Sequence, residues 1–415
     1  MIQPRVFVFY LVLFLHMYEI RNTFLREKVR MWKRSLAGFL AVCLFALHGM
    51  HPVKAQVELT SPSVILMEST TGQVLYEKNA AQRRSPASIT KIMTLLLTFE
   101  ALENGTVTLS DEVVTSEHAS SMGGSQVFLE TGEVQTLETL IKCIAVASGN
   151  DASVAVAEHI AGSEQAFVEK MNEKALQLGM VDTHFEDCCG LTDSENHYSC
   201  ARDVAIMSRE LTLHHPQVFD YTKIWMEGIT HVTPRGNSEF MLSSTNKLLK
   251  QYPYTTGLKT GFTSKAGFCL SATASKDGID LIAVCMGAGD SKTRNAETKA
   301  LLAYGFSKCR LYTDENTDLP QTILLRGGVE EAVPIRPQGA FRYLDVEGRN
   351  LAGIRKEITL PDQVNAPAAE GEAVGQVNYY LGEELLGTMP ILFAADIDRA
   401  GVGDCMRKVL GFFLF

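Results

Sequence analysis

A serine stands three residues ahead of a lysine in SPASITKIMT, where Ser88 and Lys91 fall at the start of a helix-like stretch. On a helix the two side chains share one face a turn apart, within reach of each other. Serine is a poor nucleophile at neutral pH and needs a base beside it. Lysine becomes that base if its pKa drops from ~10.4 towards 7, a change of about 4–5 kcal/mol. Burial lowers a lysine pKa, and so does a second cation nearby. The run after Lys91 is apolar, with Ile92, Met93, Leu95, Leu96 and Leu97, yet lysine is almost never fully buried unless paired. A working Ser88/Lys91 pair therefore calls for another lysine in the same cleft.

The sequence supplies one in Lys259-Thr260-Gly261, immediately before a strand-like run. Between the two lysines lies Ser148-Gly149-Asn150, just after an apolar stretch, where a loop could aim both polar side chains into a cleft. The order SxxK, SxN, KTG is that of the penicillin-recognising serine enzymes. Each motif alone is weak. SxxK recurs at Ser244-Thr245-Asn246-Lys247, and SxN at Ser194-Glu195-Asn196 and again at Ser244-Thr245-Asn246. The Ser244 match lies 15 residues before Lys259, too close to leave room for the elements between motifs, and it lacks the apolar run that follows Lys91.

These residues must be held by elements the sequence also announces. VILMESTTGQVLYEKN, from Val64, reads as strand, turn and strand. Helical patterns follow from about Pro86, at 136–148 (TLETLIKCIAVAS) and in AFVEKMNEKALQLGM, which Gly179 terminates. Strand character returns at 267–274 and 279–288, and a helix runs from about Arg294 to Phe306. Strands at both ends with helices between them predict an α+β domain whose sheet is built from distant segments. After Thr313, short β-like runs broken by Gly and Pro predict a small all-β sandwich domain over 313–395, leaving a tail at 396–415. The tail pairs Arg407 and Lys408 with an apolar end, readable as a membrane-surface contact or as a docked terminus.

Composition narrows the function classes. With 46% hydrophobic and 21% charged residues over 415, the chain is globular, and its net charge of −10 argues against nucleic acid as a partner. The first 55 residues carry eight Lys/Arg against two Asp/Glu, so the rest is markedly acidic. Within them Met31, Lys33, Arg34, an apolar run and Val53-Lys54-Ala55 form the layout of a secretory signal, with residues 1–30 redundant and an uncleaved anchor as the competing reading. The mature chain is expected to span 56–312 as its catalytic part and to be exported. Eight cysteines remain after cleavage without a disulfide framework, and Cys143, Cys269 and Cys285 sit in apolar runs as small buried hydrophobes. There is neither a CxxC pair nor an HExxH helix, so neither metal nor cofactor is expected.

Taken together, SPASITKIMT, ASGNDASVAVAE, GLKTGFTSKAGFCLSATA and TRNAETKALLAYGF resemble blocks of the low-molecular-mass penicillin-binding proteins that are D-alanyl-D-alanine carboxypeptidases, with particular similarity to the sporulation-associated branch. The resemblance covers about Val57 to Cys309 and the β domain. It implies a β-lactamase/transpeptidase-like fold acting on peptidoglycan stem peptides ending in D-Ala-D-Ala, with β-lactam antibiotics as covalent inhibitors. It also implies roles: Ser88 is acylated, Lys91 takes its proton, Ser148 relays a proton to the leaving D-alanine and Asn150 holds the peptide carbonyl. Lys259 supplies positive charge, Thr260 and Arg294 bind the terminal carboxylate, and backbone N–H groups of Ser88 and of Phe262, the residue after Gly261, form the oxyanion hole. Some relatives carry histidine where this chain has Phe262. A β-lactamase is the nearest rival, but the chain has SGN instead of SDN and lacks an ExxLN stretch to supply a deacylating glutamate. A non-catalytic sensor on the same fold is the other rival, and the intact motif set weighs against it.

Overall fold

Apolar runs decide the central layer. The strands β1 (Ser63–Glu68), β8 (Gly267–Lys276) and β9 (Ile279–Ala288) are buried almost end to end. That is the pattern of strands covered on both faces. With β2 (Val74–Lys78) and β7 (Thr255–Thr263) they form a five-stranded antiparallel sheet in the order β2-β1-β9-β8-β7. The computed structural model describes residues 59–413 other than Pro234, so the signal segment and the start at Met31 lie outside the described residues.

Alternation along the strands sorts the core into two layers. Ile65, Met67, Ile282 and Val284 face a helical layer, while Val64, Leu66, Leu281 and Ala283 face the opposite side with Leu301 and Leu302. The helical layer comprises α1 (Lys91–Glu103), α2 (Glu117–Ser120), α3 (Leu137–Lys142), α4 (Asn150–Ala161), α5 (Glu164–Gln177), α6 (Ala201–His214) and α7 (Val218–Thr222), whereas the short α8 (Leu248–Gln251) packs Leu248 on the opposite face. Two hairpins, β3 (Glu112–Val114) with β4 (Val134–Thr136) and β5 (Met226–Thr233) with β6 (Gly236–Ser243), complete this side. The other face is covered by α9 (Ser291–Lys308), whose first turn is capped by the Asp290 carboxylate accepting from the Lys292 and Thr293 N–H groups.

Two local expectations change. The stretch 136–148 is not one helix: α3 gives way to a π turn over Cys143–Ala147, which ends on Ser148 in the left-handed region at φ 65°. The widened turn alters where the chain leaves the helix, and so where Ser148 is delivered. Lys259-Thr260-Gly261 does not precede a strand but lies inside β7, at the edge of the sheet.

Beyond α9 the chain is β structure, as its Gly- and Pro-broken runs predict. A pair formed by β10 (Arg310–Asp314) and β13 (Phe341–Asp345) accompanies a six-stranded sheet of β11 (Thr322–Arg326), β12 (Ala332–Pro337), β14 (Ile354–Thr359), β15 (Gln363–Asn365), β16 (Ala373–Leu381) and β17 (Glu384–Phe393). Its core includes Val333, Val377, Tyr379 and Ile391. The Tyr379 ring stacks on Phe341 at 3.7 Å, and its hydroxyl reaches Asn316 at 2.7 Å. The tail forms a helix, α10 (Val402–Phe413).

Candidate active site

The segment carrying Ser88 is a 3-10 turn, Ala87–Thr90, that runs directly into α1. Ala87 is held at φ +49°, where a residue with a Cβ is strained. Thr90 locks the turn: its hydroxyl donates to the Ala87 carbonyl at 2.8 Å, and the His197 ring lies 2.9 Å from the same oxygen. Two glycines let neighbouring segments close on it. A Cβ on Gly261 would lie 2.9 Å from the Pro86 carbonyl and 3.1 Å from the Ile89 nitrogen, and one on Gly190 would overlap the Ala87 carbonyl. The result leaves Ser88 half-buried at the mouth of the site, with Lys91 fully buried beneath it.

The Lys91 ammonium donates to Ser88 Oγ at 3.1 Å, Asn150 Oδ1 at 2.5 Å and the Cys189 carbonyl at 2.8 Å. All three partners are neutral oxygens. Burial therefore dominates and lowers the Lys91 pKa, against the opposing pull of the Cys189 and Cys188 thiols and the Asp187 and Asp151 carboxylates. Asn150, at the start of α4, spends its Oδ1 on Lys91 and one N–H on the Gly123 carbonyl at 2.7 Å. An amide nitrogen has two donors, so the second stays free for a ligand.

The second lysine lies in the same cleft. Lys259, 1% exposed, donates from β7 to Ser148 Oγ at 2.8 Å and to the Thr260 carbonyl at 3.0 Å. Its pKa falls well below the ordinary lysine value through burial first, with the charges of Lys91 and Arg294 adding to it. Thr260 donates to Thr245 Oγ1 at 2.6 Å. Arg294, in the first turn of α9, is buried beneath the sheet, bonding Asn295 Oδ1 through Nε and Nη2 and the Cys269 carbonyl at 3.3 Å. It touches none of the motif residues directly and acts on Lys259 by charge. Phe262 is 54% exposed and packs on Phe268 with ring centroids 4.3 Å apart. Ser88, Lys91 and Asn150 thus form one hydrogen-bonded group and Ser148, Lys259 and Thr260 a second, the two meeting at the Ser148–Asn150 segment between the π turn and α4.

Residues 50–290 match the family described as D-alanyl-D-alanine carboxypeptidase, and residues 313–399 match the C-terminal domain of penicillin-binding protein 5. The chain is 41% identical to D-alanyl-D-alanine carboxypeptidase DacF of Bacillus subtilis, over 84% of this chain and 89% of that one. It belongs to the D-alanyl-D-alanine carboxypeptidase family. Among solved structures, penicillin-binding protein 5 of Haemophilus influenzae aligns with a TM-score of 0.62 at 29% identity, covering 83% of this chain and 99% of the other. Penicillin-binding protein D2 of Listeria monocytogenes, in its ampicillin-bound form, aligns at 0.53 and 28% identity, covering 60% and 99%.

Measured against the D-alanyl-D-alanine carboxypeptidase motifs, sequence reasoning missed three contributors. The Cys189 carbonyl is a main-chain acceptor, invisible to a motif search. Asp187 gathers the backbone N–H groups of Cys189 at 2.9 Å, Leu191 at 3.0 Å and Thr192 at 2.7 Å, together with Gly190, and so shapes the loop that presents this carbonyl. The third is Thr245, set aside as part of the repeated SxxK match. It supplies no nucleophile, but its neighbour Asn246 bonds the Gly257 carbonyl at 3.1 Å, pinning this segment to β7 beside Thr260. A short segment matching two motif patterns was the available signal.

The fit of β7 against the Ser88 turn is set by the bare Gly261. Gly261→Ala should push them apart by several tenths of an ångström and slow covalent labelling of the protein by benzylpenicillin about 100-fold, since small misplacements at a reacting centre are costly. Stopped-flow acylation beside a thermal melt checks this. An unchanged rate would mean that the contact has slack.

Proposed function

We propose that the protein is a serine-type D-alanyl-D-alanine carboxypeptidase that removes the terminal D-alanine from peptidoglycan stem pentapeptides through an acyl-enzyme on Ser88. The observation that carries the assignment of roles is Lys91: a fully buried lysine, 3.1 Å from the Ser88 hydroxyl, whose hydrogen-bond partners are all uncharged. Lys91 in its neutral form takes the Ser88 proton as Oγ attacks the penultimate D-Ala carbonyl. The backbone N–H groups of Ser88 and Phe262 receive the oxyanion. Ser148, backed by the Lys259 ammonium at 2.8 Å, passes a proton to the leaving amine. Asn150 holds the peptide carbonyl with its remaining donor, and Thr260 takes the terminal carboxylate in a field made positive by Lys259 and Arg294. Water then hydrolyses the ester. We assign this chemistry to 56–312 and leave 313–395 as a non-catalytic β domain.

Benzylpenicillin imitates an acyl-D-Ala-D-Ala terminus, so it should form an adduct at Ser88 that mass spectrometry detects. Ser88→Ala should abolish it, and Lys91→Ala should nearly do so while leaving the serine in place. Because Lys91 acts as a base and its pKa is lowered, acylation should rise with pH to a plateau whose inflection lies below the ordinary lysine value. Labelling of Ser88→Ala would refute the nucleophile. Rapid penicillin turnover without D-alanine release from a D-Ala-D-Ala peptide would favour a β-lactamase, and a stable adduct without release a sensor.

Arg294 is a buried cation with no carboxylate among its partners, so removing it should weaken the positive field under Thr260. Arg294→Ala should lower kcat/KM for D-Ala-terminated peptides by about 10-fold, the scale of a through-space charge effect of roughly 1–2 kcal/mol. Equal rates would make Arg294 structural only.

We further assign the protein to the outer face of the cell membrane or to the cell wall. The segment supporting export lies in 1–55, and the tail supports surface binding: Val402, Met406, Val409 and Leu410 form an exposed stripe at helical spacing on α10, with Arg407 and Lys408 beside it. Described residues include no helix long and apolar enough to cross a membrane. The exported protein should begin at or near Gln56, and residues 56–415 should co-sediment with anionic vesicles while 56–400 should not. Equal sedimentation would leave α10 as a docked terminus, held by Lys408 donating to the Gly328 carbonyl at 3.1 Å.

A further inference from the structure

Beside the nucleophile turn lies an open groove of about 570 Å³, walled by Arg84 and Ser85 on one side, Asn196 to Tyr198 on the other, and Lys265 at one end. Each wall leads within a few residues into the active site. Ser85 precedes Ser88 by three positions, and Lys265 follows Phe262 by three. The third wall is tied to the nucleophile turn through His197, whose Nδ1 accepts from the Glu186 N–H at 3.0 Å, leaving Nε2–H to donate to Thr90.

The direction of a bound peptide follows from the proposed roles, on which this inference rests. If Thr260 takes the terminal carboxylate and the Phe262 N–H takes the reacting carbonyl, the donor chain runs antiparallel to β7. Its upstream residues then continue past Thr263 towards Lys265. At about 3.3 Å per extended residue, the second or third residue before the scissile bond reaches the groove.

The groove's cations differ in one respect. Arg83 is satisfied by Asp182 at 2.9 Å and lies over the Tyr198 ring at 4.6 Å. Lys265 pairs with Glu195 at 2.8 Å and also bonds the Asp193 and Ser194 carbonyls, at 2.8 and 3.1 Å. Among the described residues Arg84 has no such partner. Its one side-chain hydrogen bond is a long 3.4 Å contact from Nη1 to Gln82 Oε1, and its Nε is buried with no acceptor at all. The residue is nevertheless held firmly. Its backbone exchanges hydrogen bonds with Ser199 at 2.8 and 3.0 Å, and its guanidinium lies against the bare backbone of Gly287, where a Cβ would come within 2.6 Å of Nη2. Nε is shielded against Gly287, so it is the partly exposed end of the guanidinium that lines the groove, and such a planar group matches a carboxylate with parallel N–H donors.

We infer that this groove is a subsite for a carboxylate on the stem peptide, two or three residues upstream of the scissile bond, with the Arg84 guanidinium as its recognition element. The enzyme would then read an anionic donor strand in addition to the D-Ala-D-Ala end. An amidated stem would lose this contact without losing the scissile terminus.

Two peptides test this. Both end in D-Ala-D-Ala and carry a γ-linked D-glutamyl residue upstream; one has its α-carboxylate free and the other has the carboxamide. Wild-type kcat/KM should favour the free carboxylate by about 10- to 100-fold, the scale of a charge-assisted bond. Arg84→Gln should bring the ratio close to one, and Arg84→Lys, which keeps the charge but not the fork, should fall between. The ratio is taken within one enzyme preparation, so it does not depend on the folded fraction. A wild-type ratio near one, or an unchanged ratio in Arg84→Gln, would overturn the subsite while leaving the carboxypeptidase reading intact. D-alanine release from neither peptide would overturn that reading and this one with it.

Discussion

The arrangement depends on a lysine ammonium taken wholly out of water with no anion among its hydrogen-bond partners. A buried charge is normally paired, because desolvation is otherwise too costly. Lys91 instead receives three neutral oxygens, from its own turn, from α4 and from the loop at Cys189. Those acceptors solvate the ammonium enough to place it, but not enough to keep it firmly protonated. The balance makes the group usable as a base, and it needs three segments distant in sequence to meet at one nitrogen.

The architecture around that nitrogen is correspondingly tight. Gly261 and Gly190 let β7 and the 187–192 loop press on the Ser88 turn where any side chain would collide. Ala87 and Ser148 sit in backbone regions that residues with a Cβ seldom occupy, on either side of the cleft. Strain of this kind persists only where surroundings over-determine it. Here the surroundings are two packed layers on a sheet whose strands β1, β8 and β9 are buried almost throughout. Lys259 and Arg294 add positive charge behind the cleft, so protonation of either lysine opposes that of the other.

How much of this could be read in advance follows from what sequence encodes. Periodicity and turn residues placed β1, β2, β8, β9 and α9 within a few positions, because their burial is strong and local. The spacing of Ser88, Lys91, Ser148, Asn150 and Lys259 was legible because side-chain chemistry carries it. The π turn was not, since an apolar run such as CIAVA suits a helix as well as a wider turn. Nor was the position of Lys259 inside β7: a Thr-Gly pair usually punctuates a strand, whereas Gly261 is there to permit close approach. Contacts made by main-chain atoms, such as the Cys189 carbonyl on Lys91, leave no residue-type signature at all.

The cysteines bear on why the nucleophilic role is assigned to a serine. Seven of the described cysteines are buried free thiols. Burial pushes Cys269 and Cys309 up to about 11 and Cys200 and Cys285 to about 12, and it raises Cys143 and Cys188 as well. A thiol needs its anion to react, so these groups are inert at neutral pH and serve as small apolar side chains. Cys188 and Cys189 also adjoin Lys91, where their backbone carbonyls accept from Thr94 at 2.5 Å and from Lys91 at 2.8 Å. The same desolvation that raises those thiols lowers Lys91, the base proposed for Ser88. One physical condition, exclusion of water from the interior of the helical layer, therefore selects which of several candidate nucleophiles can act.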